Sequence, residues 1–176
     1  MLNLLIRILL AVLVLVGVLA LIGSFLPRGY EFQTELTIKA KPATIFPMVN
    51  TPRNWQKWSM WSPEKVAGLK VEYRGNESGV GAEQFWTEIR GAGKMWITAS
   101  QPERSIEYKM VFANFPQMDS TILLEPNGDS TDVTWKSSGR LPSGPFYGYF
   151  AWLFGSQMKY QYQTALENLS EFVEKN

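Results

Sequence analysis

The chain contains no histidine and no cysteine. Without them there is no Ser-His or Cys-His nucleophile pair and no imidazole general base. Structural zinc sites, haem ligation and iron–sulfur clusters built on those ligands are excluded as well. Any catalysis would rest on carboxylate, Lys, Arg, Tyr or Ser side chains. The missing cysteine leaves the compartment open, because an exported domain without disulfides and a cytosolic one look alike in this respect. Charge is scarce at the start: Arg7 is the one charged side chain in residues 1–27. The rest of the chain holds 16 basic and 16 acidic residues. It is therefore formally neutral and has no electrostatic case for gripping a nucleic-acid backbone.

What is present falls into two unequal parts. Of the 176 residues, the first 27 contribute 21 apolar ones, and the remaining 149 contribute 59 together with 23 of the 24 aromatics. The second part can build a core and is not a disordered tail. Residues 8–26 read ILLAVLVLVGVLALIGSFL, in which Ser24 is the only strongly polar side chain. As a helix this run spans roughly 28 Å, close to the hydrocarbon thickness of a bilayer. Arg7 can snorkel at one end, and Pro27-Arg28-Gly29 stops the helix at the other. A signal peptide would have a shorter apolar region and small residues before the cleavage point, which Gly23-Ser24-Phe25-Leu26-Pro27 does not supply. A core helix would carry a polar stripe. We expect residues 4–26 to form an uncleaved single-pass anchor. The short N-terminus places the following domain on the exported side, although counting Arg28, Lys39 and Lys41 argues the other way.

Residues 30–39 alternate as YEFQTELTIK, a strand with Tyr30, Phe32, Leu36 and Ile38 on one face. Pro42 opens a helix that Pro47 keeps short, and a second short helical segment covers residues 53–61. Strands follow at 69–73, 82–89, 94–99, 105–112, 117–124 and 131–137. Gly91-Ala92-Gly93 reads as a hairpin connection, and Asn127-Gly128-Asp129 as a type I′ turn. After Ser143-Gly144-Pro145, apolar residues recur at helical spacing: Phe146, Phe150, Phe154, Met158, Tyr162, Ala165, Leu169, Phe172 and Val173. The order is β-α-α-β6-α, an α+β fold. A meander of that size curls, and the last helix is the only element long enough to cover its concave face. A helix laid across a curled sheet leaves a wedge-shaped interior.

Several motifs admit a functional reading beside ordinary packing. Trp55, Trp58 and Trp61 recur every third residue, and Trp86, Trp96 and Trp135 fall in strands. Each alone suits a core, while the group points to an aromatic-lined interior. Gly79-Val80-Gly81 lacks the third glycine of a dinucleotide loop, having Gln84 there, and it precedes a strand. Glu83, Glu88, Glu103 and Glu107 are expected on the solvated face. Asn76 and Asn168 begin glycosylation sequons, the second of them mid-helix.

These stretches together resemble the START-like (SRPBCC) superfamily and, within it, the polyketide cyclase/dehydrase and lipid-transport branch. The likeness runs from residue 30 to about 175. It is carried by Ile38-Lys-Ala-Lys-Pro-Ala-Thr-Ile-Phe46, by residues 54–63 with their three tryptophans, by Gly79-Val-Gly-Ala-Glu-Gln-Phe-Trp86, by Thr131-Asp-Val-Thr-Trp135 and by the terminal helix. The resemblance implies a helix-grip fold with a hydrophobic cavity. It implies no common catalytic set, and the N-terminal anchor departs from its general pattern.

Three readings follow. The favoured one is a membrane-anchored domain, residues 30–175, that binds a lipid-like or polycyclic small molecule inside. Its cavity wall would include Trp58, Trp86, Trp96 and Met110, since rigid rings line a void without collapsing and Met adapts to ligand shape. Trp96 depends on a strand register that a one-residue slip would invert. No catalytic residue, metal or cofactor is assigned, and the domain is taken as a monomer whose partners are the ligand and the bilayer, with no nucleic acid. The alternatives are a cyclase or dehydratase acting on a polyketide-like substrate, and a ligand-free interaction or folding-accessory domain. An apolar interior above about 300 Å³ with no ionisable group inside would support the first, a buried carboxylate facing a Tyr or Lys the second, and a filled core the third.

Overall fold

The computed structural model describes residues 2–113 and 115–175. It opens with α1 (Leu2–Phe25), whose apolar side chains face outward all round. Its hydrophobic window is not buried against the rest of the protein. By length and composition α1 is the one helix among the described residues able to cross a membrane, and a signal sequence meets the same test.

A seven-stranded antiparallel sheet follows, in the order β1-β7-β6-β5-β4-β3-β2. Its strands are β1 (Gly29–Ile38), β2 (Lys70–Gly75), β3 (Ala82–Glu88), β4 (Gly91–Gln101), β5 (Ser105–Phe112), β6 (Met118–Asn127) and β7 (Ser130–Arg140). Strands β2 to β7 form a meander, and β1 pairs along its full length with residues 131–140 of β7. Alternation sets the two faces: in β7, Thr131, Val133, Trp135 and Ser137 are buried while the residues between them are not. Helix α3 (Tyr147–Lys175) lies across the concave face and packs most extensively on β1. The β-α-α-β6-α order and the α+β helix-grip architecture expected from the sequence are present, with one qualification in the second helical segment.

That segment is a 3₁₀ helix, Pro52–Lys57, followed by a turn at residue 58 and bends at 59–60. Its bonds run three residues back, Asn54 N to Thr51 O and Trp58 N to Trp55 O. Three-residue spacing eclipses side chains in this geometry, so Trp55 and Trp58 enter the core side by side. Helix α2 (Pro42–Asn50) is nine residues long, as the internal Pro47 requires.

Two turns differ from expectation. The β3–β4 hairpin turns at Ile89-Arg90, with Glu88 paired to Gly91, so Gly91 and Gly93 belong to the strand. In the β6–β7 hairpin Asn127 pairs with Ser130 across Gly128-Asp129. Gly128 has φ +64, while Asp129 is not among the residues at positive φ, which is the glycine-first pattern of a type II′ turn.

The core centres on Trp55, Trp58, Tyr108, Trp135, Ile122, Leu166 and Leu169. The apolar stripe of α3 does not all reach it. Tyr162, Ala165, Leu169 and Val173 are buried, whereas Phe146 and Phe150 are exposed. Only the C-terminal half of α3 lies fully over the sheet. Thr34 of β1 hydrogen-bonds Gln163 there, and Tyr162 stacks on Trp135 with ring centroids 3.9 Å apart.

Candidate functional site

Between α3 and the middle of the sheet the core is not filled. A cavity of about 290 Å³ lies there, close to the lower end of ligand pockets at roughly 300 Å³. Its floor is formed by Tyr108, Trp135 and Tyr162, and its walls by Trp61, Trp86, Met95, Met110, Phe112 and Met158. Sheet pairing explains the grouping, because residues opposite one another point to the same face. Gln84 faces Met95, Met95 faces Met110, and Trp86 faces Gly93. The last pair depends on the missing side chain: a Cβ on Gly93 would fall 2.3 Å from the Trp86 ring. The indole therefore lies against the β4 backbone, parallel to Phe112 and edge-on to Trp61.

The cavity carries polar atoms of two kinds. Along the floor they are satisfied. Trp135 Nε1 donates to Tyr108 Oη at 2.9 Å, Tyr108 and Tyr162 hydroxyls lie 3.4 Å apart, and Ser137 Oγ donates to Tyr162 Oη at 3.3 Å. Ser120 and Ser137 complete the chain at 2.6 Å. Burial, then the neighbouring Tyr162, pushes the Tyr108 phenol well above its ordinary range, and burial raises Tyr162 as well. Tyr30, also lining the cavity, is pushed up to about 12 by burial and by Tyr162. These phenols stay protonated near neutrality and act as hydrogen-bonding groups, not as bases. In the walls the situation differs: Trp61 Nε1, Trp86 Nε1 and Gln84 Oε1 are buried without a partner. Two donors and one acceptor are thus sealed within the wall.

At the mouth, Met60, Arg90, Phe115 and Gln161 are the exposed lining residues. Arg90 donates to the Glu88 carboxylate at 3.2 Å and lies over Trp61. Glu88 departs from the expected solvated position, its side chain being 1% exposed with Oε1 unpartnered. The cause is parity: Gln84, Trp86 and Glu88 share the inward face of β3, while Glu83 and Phe85 point out. Among the described residues no group of three acidic side chains comes together as a metal site.

A family model for polyketide cyclase / dehydrase and lipid transport proteins matches residues 30–174. The chain belongs to this family. Solved structures share the fold of the polyketide cyclase/dehydrase and lipid transport family at low identity. Protein SA2116 from Staphylococcus aureus superposes with a TM-score of 0.67 at 10% identity, covering 85% of this chain and 96% of that one. CV1439 from Chromobacterium violaceum gives 0.55 at 19%, with 82% and 96% covered. CalU16 from Micromonospora echinospora gives 0.56 at 14%, with 81% and 75% covered. No curated protein sequence matches the chain. The family's fold suggests a domain that binds a hydrophobic ligand, and this family member has an internal cavity of matching character.

Of the four wall residues expected from the sequence, Trp86 and Met110 line the cavity. Trp58 does not. It is fully buried behind the wall, its Nε1 donating to Met48 O at 3.0 Å and its ring against Trp55 and Trp135. Trp96 points to the opposite face of the sheet. It pairs with Glu83 and sits under the Lys94 ammonium, which also bridges to Glu83 at 3.1 Å. The aromatic ring is used on the convex face, and the smaller neighbours Met95 and Ile97 take the inward positions. Sequence reasoning missed Trp61, Gln84, Tyr108, Trp135 and Tyr162 as lining. A usable signal existed for Gln84, a polar residue two positions before an inward tryptophan. Of the sequons, Asn76 is exposed, while Asn168 donates to Trp58 O at 3.0 Å and is part of the packing.

Proposed function

We propose that this chain is a bilayer-tethered domain that takes a hydrophobic small molecule, lipid-like or polycyclic, into the cavity between α3 and the sheet. In this reading residues 4–26 are a single-pass anchor and residues 30–175 form the binding domain. That domain lies on the exported side and works as a monomer without a cofactor. Trp86 and Met110 belong to the ligand-contacting wall. The observation that carries the proposal is the cavity: a void bounded by aromatic and thioether side chains within an otherwise packed core. An unfilled apolar void costs stability, so its retention argues for an occupant.

The test uses the full chain in lipid nanodiscs. Wild type is expected to retain a small-molecule adduct in native mass spectrometry and to bind a polycyclic fluorescent probe. Trp86→Ala should weaken probe binding and lower the melting temperature less than Trp58→Ala, which empties a fully buried site, since a wall residue already lacks packing on one side. Unchanged affinity together with a large fall in melting temperature would show a filled core, and the proposal would fail.

One observation favours a second reading, cyclase- or dehydratase-type chemistry. The sealed Glu88 carboxylate, with a free oxygen beside Arg90 at the mouth, has the makings of a proton-handling group. Glu88 does not itself line the cavity, and binding therefore takes precedence. Turnover of a polyketide-like substrate that Glu88→Gln abolishes, with probe binding intact, would reverse that order.

A further inference from the structure

Residues 141–158 contain no charged side chain. They include the connector to α3 and its first three turns, where Phe146, Phe150 and Leu153 are exposed and Trp152 is 76% exposed. The core does not use these side chains. Their surroundings show what does. The end of α1 packs directly on this segment: a Cβ on Gly23 would collide with Pro145 O, and one on Gly148 would fall 2.3 Å from Leu26 Cβ. Tyr149 Oη donates to Leu19 O at 3.0 Å. Leu19 lies six residues before the end of α1, about 9 Å back along the helix. If α1 is in a bilayer, the first turns of α3 are at its surface and partly within it.

Strand directions put the cavity mouth at the same end of the molecule. Strand β1 leaves the anchor at Gly29, opposite Arg140. Gly139 then pairs with Met118, and Phe112 with Gly93. The β3–β4 turn with Arg90, the β5–β6 connection with Phe115 and the start of α3 consequently share the anchor end of the sheet. The β6–β7 turn at Asp129 lies at the far end. Phe115 stacks on Phe154 at 5.6 Å, joining the mouth to the exposed helix face. Along α3, Phe146 and Phe150 are exposed, and the next members of the same stripe, Phe154 and Met158, line the cavity.

We propose that the uncharged face of α3 is a bilayer-docking surface, and that the Phe146-Phe150-Phe154-Met158 stripe is the path by which a membrane-resident amphiphile passes from lipid into the cavity. This rests on the tethered-binder reading and adds where the ligand comes from. Beside the stripe, Tyr147 and Trp152 are exposed, and indole and phenol rings favour the membrane–water interface. The occupant is lipid because the face is continuous with the anchor and has no charge to repel it.

The chain has no native cysteine, so single-cysteine variants carry one spin label each. The full chain is placed in phosphatidylcholine–phosphatidylglycerol nanodiscs, with labels at Val14→Cys in α1, Leu153→Cys on the proposed face and Asp129→Cys at the far turn. Collision with oxygen against a water-soluble nickel chelate is measured by power saturation. Positions 14 and 153 should both prefer oxygen, and position 129 nickel. A lipid-like position 14 with a water-like position 153 overturns the docking proposal while leaving the anchor in place. A water-like position 14 removes the anchor on which both depend. A second arm pairs Phe150→Glu with Leu153→Glu and follows uptake of a fluorescent fatty acid preloaded in the disc. Uptake should slow by about tenfold or more, since carboxylates resist the membrane. Affinity for the same probe added from water in detergent should stay unchanged. Equal uptake rates would refute the entry path.

Discussion

The hydroxyl chain under the cavity gives a sharp test, because two chemically identical deletions should differ in cost. Tyr108→Phe removes the acceptor at 2.9 Å for Trp135 Nε1, its one partner among the described residues. A buried donor left unpaired costs about 1–3 kcal/mol. Tyr162→Phe leaves better alternatives behind. Tyr108 still accepts from Trp135, and Ser137 still pairs with Ser120 at 2.6 Å. Only the net value of weak contacts at 3.3 and 3.4 Å is lost, about 0.5–1.5 kcal/mol. The ring of Tyr162 remains stacked on Trp135 in both variants. For a domain of this size 1 kcal/mol moves the melting temperature by about 2–4 °C. Tyr108→Phe should thus fall by roughly 2–12 °C, and Tyr162→Phe by less. Thermal unfolding of the full chain in mild detergent, followed by near-UV circular dichroism, measures both. The double variant should cost less than the sum, because the two hydroxyls share one network. Equal or inverted losses for the single variants would refute the assignment of Tyr108 as the acceptor that keeps Trp135 paired.

Other perturbations read other parts of the structure. Gly93→Ala pushes a methyl into the Trp86 ring and should cost about 1–3 kcal/mol by overpacking, with weaker probe binding as the indole shifts; an unaltered probe affinity and melting curve would show that the ring does not lie there. Trp96→Ala should leave probe affinity unchanged, because Trp96 sits on the convex face under Lys94; a loss of binding would place it back in the cavity. Stability should be insensitive to phenol ionisation up to pH 10 and then fall. Burial raises the folded-state values of Tyr30, Tyr73, Tyr108 and Tyr162 above the unfolded one. Their contribution is complete below the unfolded value near 10, and it is lost as pH climbs, through about 12 for Tyr30. Denaturant midpoints measured between pH 8 and 12 check the sign, and a midpoint that rises in alkali would contradict it.

The fold was legible because its signals are long-range in sequence and redundant. The alternating 30–39 segment, the six later strands and the helical stripe of α3 each survive an error of one or two residues in their limits. The cavity wall was less legible, since its membership depends on parity within single strands. The 94–97 stretch, Lys-Met-Trp-Ile, has apolar residues at both parities, and size alone favoured turning Trp96 inward. The decision came instead from pairing: Trp96 opposite Glu83 gains an ion-capped position outside, while Met95 falls opposite Gln84 and Met110. Trp58 lies outside the wall for a different reason. A 3₁₀ helix directs Trp55 and Trp58 to the same side, and depth then separates them, with Trp55 reaching the cavity and Trp58 filling the space behind. Depth has no period and leaves no mark in sequence. Glu88 shows the converse, a charge hidden because its strand places every second residue inward.

The α3 stripe shows how one periodic pattern carries two physical jobs. Apolar residues every three or four positions from Phe146 to Val173 read as a single buried seam, yet a seam is buried only where something lies opposite it. The sheet lies opposite from Tyr162 onward, and there the side chains pack. Between Phe154 and Met158 the opposing wall stands back, which leaves the cavity. At Phe146 and Phe150 the face is exposed among the described residues, although α1 touches the adjacent backbone. In water that exposed aromatic group would be a liability for aggregation. If α1 lies in a bilayer, the same group has a solvent suited to it. Polar substitution in the first turns should therefore affect membrane contact and ligand entry, and the same substitution three turns later should affect folding. Covalent continuity makes the two effects separable only by position along one helix, which is why the residues between them, Phe154 and Met158, belong to both.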